Sequence, residues 1–388
     1  MALVAATHAV AQSSADAAAH GICHLIVGTY AGAPGARGQG IYVCRFDTKT
    51  GEVHKASVAK TVNPSFVAVS RDGRCVYAVN ELPGENGSAS QRGRVSAFAF
   101  DRASGALTLL GDVASEGSEP CHLTVSPDGR YLVVANYSIA SDPGGSLAML
   151  PIEPDGRLGA AALVVQYQGR GPVQGRQDCA HIHSTAFSPD GRFLYAQDLG
   201  ADKLYAYAYT PDDSHSPLAA AVWRGTDMPA GSGPRHLLFG QDGRFAYLVN
   251  ELTATVSVLR YRDGLLDVQQ TESLTAAGFA GAVGAAALHL SPDGRFLYVS
   301  NRGDANDISI FAVDAASGRL TRVGRQSSLG RGPREFAIDP SGRWLVVGNQ
   351  ASDTAWVFRR DPQTGLLDAS GPKRFDIGAP VDFRFIAA

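Results

Sequence analysis

The sequence has little excess charge of either sign and no long apolar run. Lysine and arginine number 34 against 37 aspartate and glutamate, for a formal net charge of −3. Such a balance provides no electrostatic footprint for nucleic acid or for an anionic membrane surface. No apolar stretch approaches the roughly 20 residues of a membrane-spanning helix. We therefore expect neither a nucleic-acid partner nor a membrane.

Cysteines are few, and one common nucleophile motif is missing. Cys23, Cys44, Cys75, Cys121 and Cys179 are scattered and form no Cys-x-x-Cys pair, a pattern that favours buried small apolar side chains. No Gly-x-Ser-x-Gly segment is present, which argues against catalysis through a serine acyl-enzyme.

The first twenty residues differ from the rest of the chain. They contain a short apolar stretch, and Ala9-Val10-Ala11 resembles a small-residue cleavage site, but the basic start of a signal peptide is missing. We interpret residues 1–20 as a disordered leader or a signal remnant, and residues 21–388 as one domain. The expected location is cytoplasmic, with a periplasmic or secreted location as the alternative if residues 1–20 belong to a truncated signal peptide.

A unit of about fifty residues is repeated along the chain. In each copy two short apolar runs flank a turn of the Asp-Gly kind, as in GPRHLLFGQDGRFAYLVNE at 233–251. The turn glycines are 48 to 62 residues apart, at Gly73, Gly129, Gly191, Gly243, Gly294 and Gly342. This period, with strand signals and no helical periodicity, is typical of the four-stranded blades of a β-propeller.

A second recurring turn allows the blades to be counted. Turns ending in Gly-x-Leu or a close variant occur six times, and a diverged seventh lies at 212–218. The C-terminal stretch 378–386 matches the start of a unit, while 24–30 and 40–46 match its later strands. The sequence therefore predicts an all-β, seven-bladed β-propeller whose first blade is closed by strands from both termini, which leaves no free sheet edge.

Polar residues flank the repeated hairpins at one end. Residues before the first strand of an antiparallel hairpin lie beside those after the second, so Arg235 and His236 should meet Asn250 and Glu251. If the first strand of every blade is innermost, such groups converge at the channel mouth. The predicted site residues are Glu81, His122, His181, His183, Asp198, Arg235, His236, Glu251, Arg302 and Arg334. This set suits an anionic or polyhydroxylated small molecule.

Repetition separates structural from functional candidates. The asparagines that recur in nearly every blade, at 80, 136, 250, 301 and 349, are predicted to close turns and cap backbone groups. His183, Arg235, Glu251 and Arg302 differ from their counterparts, so the architecture does not demand them and function is favoured.

His181 and His183 could share a metal ion, since residues two apart on a strand point the same way. No third ligand is specified by local spacing, so neither a metal nor another cofactor is expected.

From about residue 22 to 386 the chain resembles the lactonase family of seven-bladed propellers. This family includes propeller-type 6-phosphogluconolactonases and the fungal carboxy-muconate lactonizing enzyme. The resemblance is carried by HSTAFSPDGRFLYAQDLGADKLYAY (183–207), GPRHLLFGQDGRFAYLVNEL (233–252) and GPREFAIDPSGRWLVVGNQ (332–350). It implies a metal-free site at the channel mouth, with His183, Arg235 and Glu251 at positions matching the family's proposed catalytic residues.

The resemblance implies hydrolysis of 6-phosphogluconolactone or a related aldonolactone. His183 or Glu251 is the expected general base for water, and Arg235, with Arg302, is expected to stabilise the oxyanion. The other predicted site residues are expected to bind the lactone. Two alternatives stay open: a cycloisomerase acting on a muconate-type diacid, and a binding propeller without catalysis. A closed ring needs no partner, so a monomer or weak oligomer is expected.

Overall fold

The computed structural model describes residues 21–32, 37–82, 93–138, 145–213, 216–220 and 225–387. In these ranges the chain forms seven antiparallel sheets arranged as a ring, and the predicted seven-bladed β-propeller is confirmed. The leader assigned to residues 1–20, and residues 214–215 of the diverged turn, lie outside the described residues. Within the described part of the chain, no helix has the length and apolar character needed to cross a membrane.

The strands follow one another blade by blade. Blade 1 pairs the C-terminal strand with three N-terminal strands, in the order β29 (Pro380–Ala387), β1 (Ile22–Thr29), β2 (Ile41–Asp47) and β3 (Val53–Ala59). Blade 2 consists of β4 (Val67–Val69), β5 (Cys75–Asn80), β6 (Arg94–Asp101) and β7 (Ala106–Ala114), and blade 3 of β8 (Pro120–Val125), β9 (Tyr131–Asn136), β10 (Ser146–Pro151) and β11 (Leu163–Gln166). Blade 4 has five strands, β12 (Ile182–Phe187), β13 (Phe193–Asp198), β14 (Lys203–Tyr209), β15 (Leu218–Ala220) and β16 (Thr226–Asp227).

The remaining three blades each have four strands. Blade 5 consists of β17 (Pro234–Phe239), β18 (Phe245–Asn250), β19 (Thr255–Arg262) and β20 (Leu265–Ser273). Blade 6 consists of β21 (Ala285–Leu290), β22 (Phe296–Asn301), β23 (Asp307–Val313) and β24 (Leu320–Ser327). Blade 7 consists of β25 (Pro333–Ile338), β26 (Trp344–Asn349), β27 (Thr354–Arg360) and β28 (Leu367–Asp376), with a single 3-10 turn at Gln350–Ser352.

The C-terminal strand closes the ring, as predicted. Strand β29 pairs antiparallel with β1, with Phe383 opposite Val27. Its side chains also bond to blade 2, because Asp382 Oδ2 accepts a hydrogen bond from Val67 N at 2.7 Å and Arg384 Nε donates to Val67 O at 3.1 Å. The strands β29, β4, β8, β12, β17, β21 and β25 contact one another in turn around the axis. The first strand of each repeated unit is therefore innermost.

The hydrophobic core lies between neighbouring blades. Tyr247 and Val249 of blade 5, for example, pack with Leu297 and Val299 of blade 6, and seven such clusters are found among the described residues. The second strand of each repeated hairpin is buried along its whole length, as in β18. These strands are apolar on both faces because a neighbouring blade covers each face.

One contact explains why the two kinds of turn recur together. Gly318, in the outer turn of blade 6, has φ +69, and a Cβ built there would lie 2.3 Å from the ring of Phe245 in blade 5. Tyr247 Oη donates to Gly318 O at 3.1 Å. Gly365 meets Phe296 and Tyr298 in the same way. The repeated hairpin of one blade thus docks its aromatic side chains on the outer turn of the next.

The recurring asparagines have the structural role that was predicted. All five are buried at strand ends. Asn136 Nδ2 donates to Ser115 O at 2.8 Å, and Asn349 Nδ2 donates to Ser328 O at 2.9 Å. Each amide therefore satisfies backbone or hydroxyl groups where a strand ends.

Candidate functional site

The hairpin register brings the flanking polar residues together at one end of the channel. Pro234 lies opposite Asn250, so Arg235 and Glu251 are neighbours there. A cavity of about 470 Å³ opens at this end. Five of the predicted site residues line it, namely Glu81, His183, Glu251, Arg302 and Arg334. The convergence that hairpin geometry predicted is present for these five.

Glu251 is the centre of the charge network. Its Oε2 lies 3.0 Å from Arg235 Nε and 2.9 Å from Arg302 Nη2, and its Oε1 lies 2.5 Å from Arg176 Nη2. Burial alone raises the pKa of this carboxyl, but the charges of Arg302, Arg235 and Arg176 outweigh burial and hold the pKa well below its usual range. Glu251 is therefore ionised and is a weak base.

His183 lies beside this carboxylate in the opposite electrostatic situation. Its Nε2 is 4.0 Å from Glu251 Oε2, and its Nδ1 is 4.0 Å from the sulfur of Cys121. Burial, together with the positive charge of Arg235, lowers the pKa of His183 well below 6.5. The imidazole is accordingly neutral near pH 7 and has a nitrogen that can accept a proton.

Arg235 lies beneath the cavity and is not among the residues that line it. Its side chain is 3% exposed. Besides the contact with Glu251, its Nη1 donates to Ala286 O at 2.7 Å and lies 3.2 Å from His236 Nε2. The contact predicted between Arg235 and the substrate oxyanion therefore has no direct geometric support, and the position of Arg235 instead suits orientation of Glu251.

His122 and His236 also lie below the cavity, in the channel. Their ring centroids are 5.3 Å apart, and His236 is 5.4 Å from His183. Burial lowers the pKa of both imidazoles well below 6.5. They form a neutral floor under His183, with Phe66 packed 4.2 Å from His122.

Arg302 and Arg334 project into the cavity from blades 6 and 7. Arg302 Nε donates to Gly284 O at 3.0 Å, which aims its Nη2 at Glu251. Arg334 lies over the ring of Tyr30, with 5.4 Å between its Cζ and the ring centroid, and its Nη2 is 4.0 Å from Glu81 Oε2. Glu81 in turn accepts hydrogen bonds from Tyr30 Oη and Ser65 Oγ.

Two other predicted site residues do not line the cavity. The Asp198 carboxylate accepts hydrogen bonds from the backbone N–H groups of His181, Gly200 and Ala201, so it organises the turn after β13. His181 stacks on Tyr137 with 4.2 Å between ring centroids, and its Nδ1 donates to Tyr137 O. These contacts place both residues behind the cavity wall.

The cavity also has lining residues that the sequence did not single out. They are Glu119, Cys121, Arg176, Val283, Gly284 and Gly303. Tyr137, which follows β9 as Glu251 follows β18, also lines the cavity, at the channel mouth where the same register argument places it. Arg176 lies in the loop between β11 and β12, outside the repeated unit, and no periodic signal marks it. Cys121 is buried, and burial raises the pKa of its thiol, which disfavours the nucleophilic thiolate.

A second polar cluster lies deeper in the channel. His289 Nε2 is 2.7 Å from Glu335 Oε1, and Asp382 Oδ1 lies 3.0 Å from Arg384 Nη2.

Among the described residues, no group of three or more His, Cys, Asp or Glu side chains is placed to hold a metal ion.

Comparison with known proteins gives consistent results over nearly the whole ring. A family model described as Lactonase, 7-bladed beta-propeller, matches residues 24–385. A 6-phosphogluconolactonase from Formosa agariphila is 36% identical over 332 residues, 85% of this chain and 91% of that protein. A 6-phosphogluconolactonase from Bacillus subtilis is 31% identical over 356 residues, 90% of this chain and 95% of that protein. The solved structure of the periplasmic gluconolactonase of Pseudomonas aeruginosa has a TM-score of 0.89 at 46% identity, covering 94% of this chain and 99% of that chain.

Proposed function

The chain belongs to the lactonase family of seven-bladed β-propellers, and on this basis we propose that the cavity at the channel mouth hydrolyses the ring ester of a sugar lactone. Membership confirms the family resemblance and the enzyme class, lactonase, predicted from the sequence. The names of the relatives support 6-phosphogluconolactone or an unphosphorylated aldonolactone as the substrate. The observation that carries the proposal is the buried pair His183 and Glu251, with 4.0 Å between Nε2 and Oε2, in an arginine-lined cavity.

In the proposed reaction His183 is the general base. The 4.0 Å between its Nε2 and Glu251 Oε2 is short enough for one water molecule to hydrogen-bond to both atoms. Nε2 takes a proton from that water as its oxygen attacks the lactone carbonyl carbon. The ionised Glu251 orients the water and stabilises the imidazolium that forms, which compensates for the burial that otherwise disfavours a charged His183.

The tetrahedral intermediate carries a negative charge on the former carbonyl oxygen. We assign stabilisation of this oxyanion to Arg302, because Arg302 lines the cavity and its guanidinium is already held in place by the hydrogen bond to Gly284 O. Arg235 is a positioning residue that holds Glu251 from below. Collapse of the intermediate breaks the ring C–O bond, and the imidazolium of His183 returns its proton to the departing alkoxide. The product is the open-chain hydroxy acid, and His183 is neutral again.

The charges that line the cavity suit a polyhydroxylated ligand. Three arginines, Arg176, Arg302 and Arg334, face three glutamates, Glu81, Glu119 and Glu251, among the described residues that line it. Fixed donors and acceptors of this kind recognise hydroxyl groups.

The test is hydrolysis of D-glucono-δ-lactone and 6-phosphogluconolactone at pH 6.5, with spontaneous ring opening subtracted. We expect His183→Ala to lower kcat/KM by about 100-fold or more, the usual contribution of a general base. The matched control is His289→Ala, since His289 contacts Glu335 in the channel and does not line the cavity; this variant should retain wild-type rates.

Full activity of the His183→Ala enzyme on both lactones contradicts the proposed base. Turnover of a muconate diacid, with no lactone hydrolysis by the wild type, points to the cycloisomerase alternative. Absence of turnover with either class of compound points to a binding propeller.

A further inference from the structure

Arg176 enters the cavity from a loop that lies outside the propeller repeat. The loop spans residues 167–181, between β11 and β12. Arg176 reaches Glu251 of blade 5 and also interacts with the hydroxyl of Tyr137. One side chain of this loop therefore contacts cavity residues from two blades.

The loop is held in place by its own hydrogen bonds. Gln177 is fully buried, and its Nε2 donates to Leu199 O at 2.9 Å while its Oε1 accepts from Val173 N at 3.2 Å. Gly171 N donates to Gln177 O at 2.9 Å, and Gly175 N donates to the Asp178 carboxylate at 3.0 Å. The position of Arg176, next to the buried Gln177, is thereby defined by the fold.

The two oxygens of Glu251 divide the cavity into two sides. Oε2 faces His183, Arg235 and Arg302, which is the side of the proposed reaction. Oε1 faces Arg176, which is the side nearer to solvent. The Arg176 side chain is 44% exposed, compared with 20% for Arg302 and 17% for Arg334.

The three arginines are distinguished by exposure to solvent more than by the number of donors already in use. Arg302 is bonded to Gly284 O and Glu251, and Arg334 is stacked on Tyr30 near Glu81. A guanidinium has five N–H donors, and the contacts of Arg176 with Glu251 and Tyr137 use only part of them. Because Arg176 is the most exposed of the three, its remaining donors are the nearest to solvent, and we place the part of a bound lactone farthest from the reacting carbonyl on that side.

We propose that Arg176 determines specificity by binding an anionic substituent, such as a phosphate ester, at the end of the lactone remote from the ring ester. This inference rests on the proposed function and assigns to Arg176 the discrimination between phosphorylated and unphosphorylated sugar lactones. Arginine suits the task because its planar fork binds a phosphate through two parallel hydrogen bonds, whereas lysine offers a point charge.

The experiment measures kcat/KM for 6-phosphogluconolactone and for D-glucono-δ-lactone with the wild type, Arg176→Ala and Arg176→Lys. We expect Arg176→Ala to lower the value for the phosphorylated lactone by about 10- to 100-fold, the usual range for charge-assisted hydrogen bonds. The value for the unphosphorylated lactone should fall by a clearly smaller factor, because that substrate lacks the anionic group and Arg235 and Arg302 still hold Glu251 ionised. Arg176→Lys should recover part of the loss. The control is Arg170→Ala, an exposed residue of the same loop that does not line the cavity.

Each outcome distinguishes this inference from the function on which it rests. An equal loss on both lactones, or no loss on either, overturns the role of Arg176 and leaves lactone hydrolysis standing. A wild type that hydrolyses only the unphosphorylated lactone likewise overturns the role of Arg176 and leaves lactone hydrolysis standing. A wild type inactive on both lactones contradicts the proposed function itself.

Discussion

At the scale of single residues, burial and neighbouring charge determine the chemistry of the cavity. Glu251 and His183 lie 4.0 Å apart and are both almost completely buried. The pKa of each is lowered, which leaves Glu251 ionised and a very weak base, and leaves His183 neutral with a nitrogen that can accept a proton. Three guanidinium groups surround Glu251, whereas Arg235 places a positive charge near His183. The sequence placed both residues at the channel mouth but left open which of them accepts the proton.

The pH dependence of the rate tests this assignment. Burial and Arg235 lower the pKa of His183 well below 6.5. The neutral imidazole of His183, which is the form that accepts a proton, therefore persists as the pH falls through 6.5. We expect kcat/KM for lactone hydrolysis, corrected for spontaneous opening, to show no inflection near pH 6.5 and to decline only at more acidic pH. A midpoint near 6.5 would mean that His183 titrates as an exposed histidine or is not the base.

At the scale of structural elements, the inner hairpin of one blade and the outer turn of the next form a repeated joint. Both turns could be read from the sequence, because glycine is needed where φ is positive. Their contact could not, since Phe245 and Gly318 are 73 positions apart in the sequence and meet only when neighbouring blades pack. The loop of Arg176 was missed for a related reason: it belongs to no repeat, so no periodicity marks it.

Gly318→Ala tests this joint. The new methyl group adds a side chain at φ +69 and lies 2.3 Å from the Phe245 ring, so we expect the free energy of unfolding to fall by about 2–4 kcal/mol, through overpacking and backbone strain. Gly371→Ala is the control, because nothing lies within 4 Å of a Cβ built there. Urea unfolding measures both variants, and equal midpoints for the two would contradict the role of the joint.

At the scale of the whole molecule, the two ends of the chain meet in one sheet. Strand β29 pairs with β1, and Asp382 and Arg384 bond to the backbone of Val67 in blade 2. This closure places the carboxyl group of Asp382 at the centre of the ring. Burial raises the pKa of Asp382 from 3.8 to about 7, an effect that nearby Glu335 reinforces and Arg384 opposes.

Asp382→Asn tests the energetic effect of this buried acid. Between pH 4 and pH 7 the folded protein retains a proton on Asp382 that the unfolded chain has lost, so this group lowers stability as the pH rises through that window. Asparagine keeps an oxygen for the Val67 N–H but does not titrate. We expect the stability of the variant, relative to the wild type, to increase from pH 4 to pH 7 by a few kcal/mol, on the order of 1.4 kcal/mol per unit of pKa shift.

The comparison of the two proteins by urea unfolding at each pH cancels the opposite effect of the buried histidines, whose lowered pKa values make stability rise with pH up to about 6.5. A difference that does not change with pH would show that Asp382 is ionised in the folded state.

The sequence by itself determined the number of blades, the closure by both termini and the end of the channel at which polar groups gather. These features depend on patterns of strand and turn residues that repeat along the chain, and local conformational preferences are enough to reveal them. Only the tertiary structure decided which polar groups face the cavity. Asp198 is engaged by backbone N–H groups, Arg235 lies beneath Glu251, and Arg176 arrives from a loop outside the repeat. The tertiary structure also decided the protonation states of His183 and Glu251, because a pKa depends on burial and on charges contributed by residues from several blades.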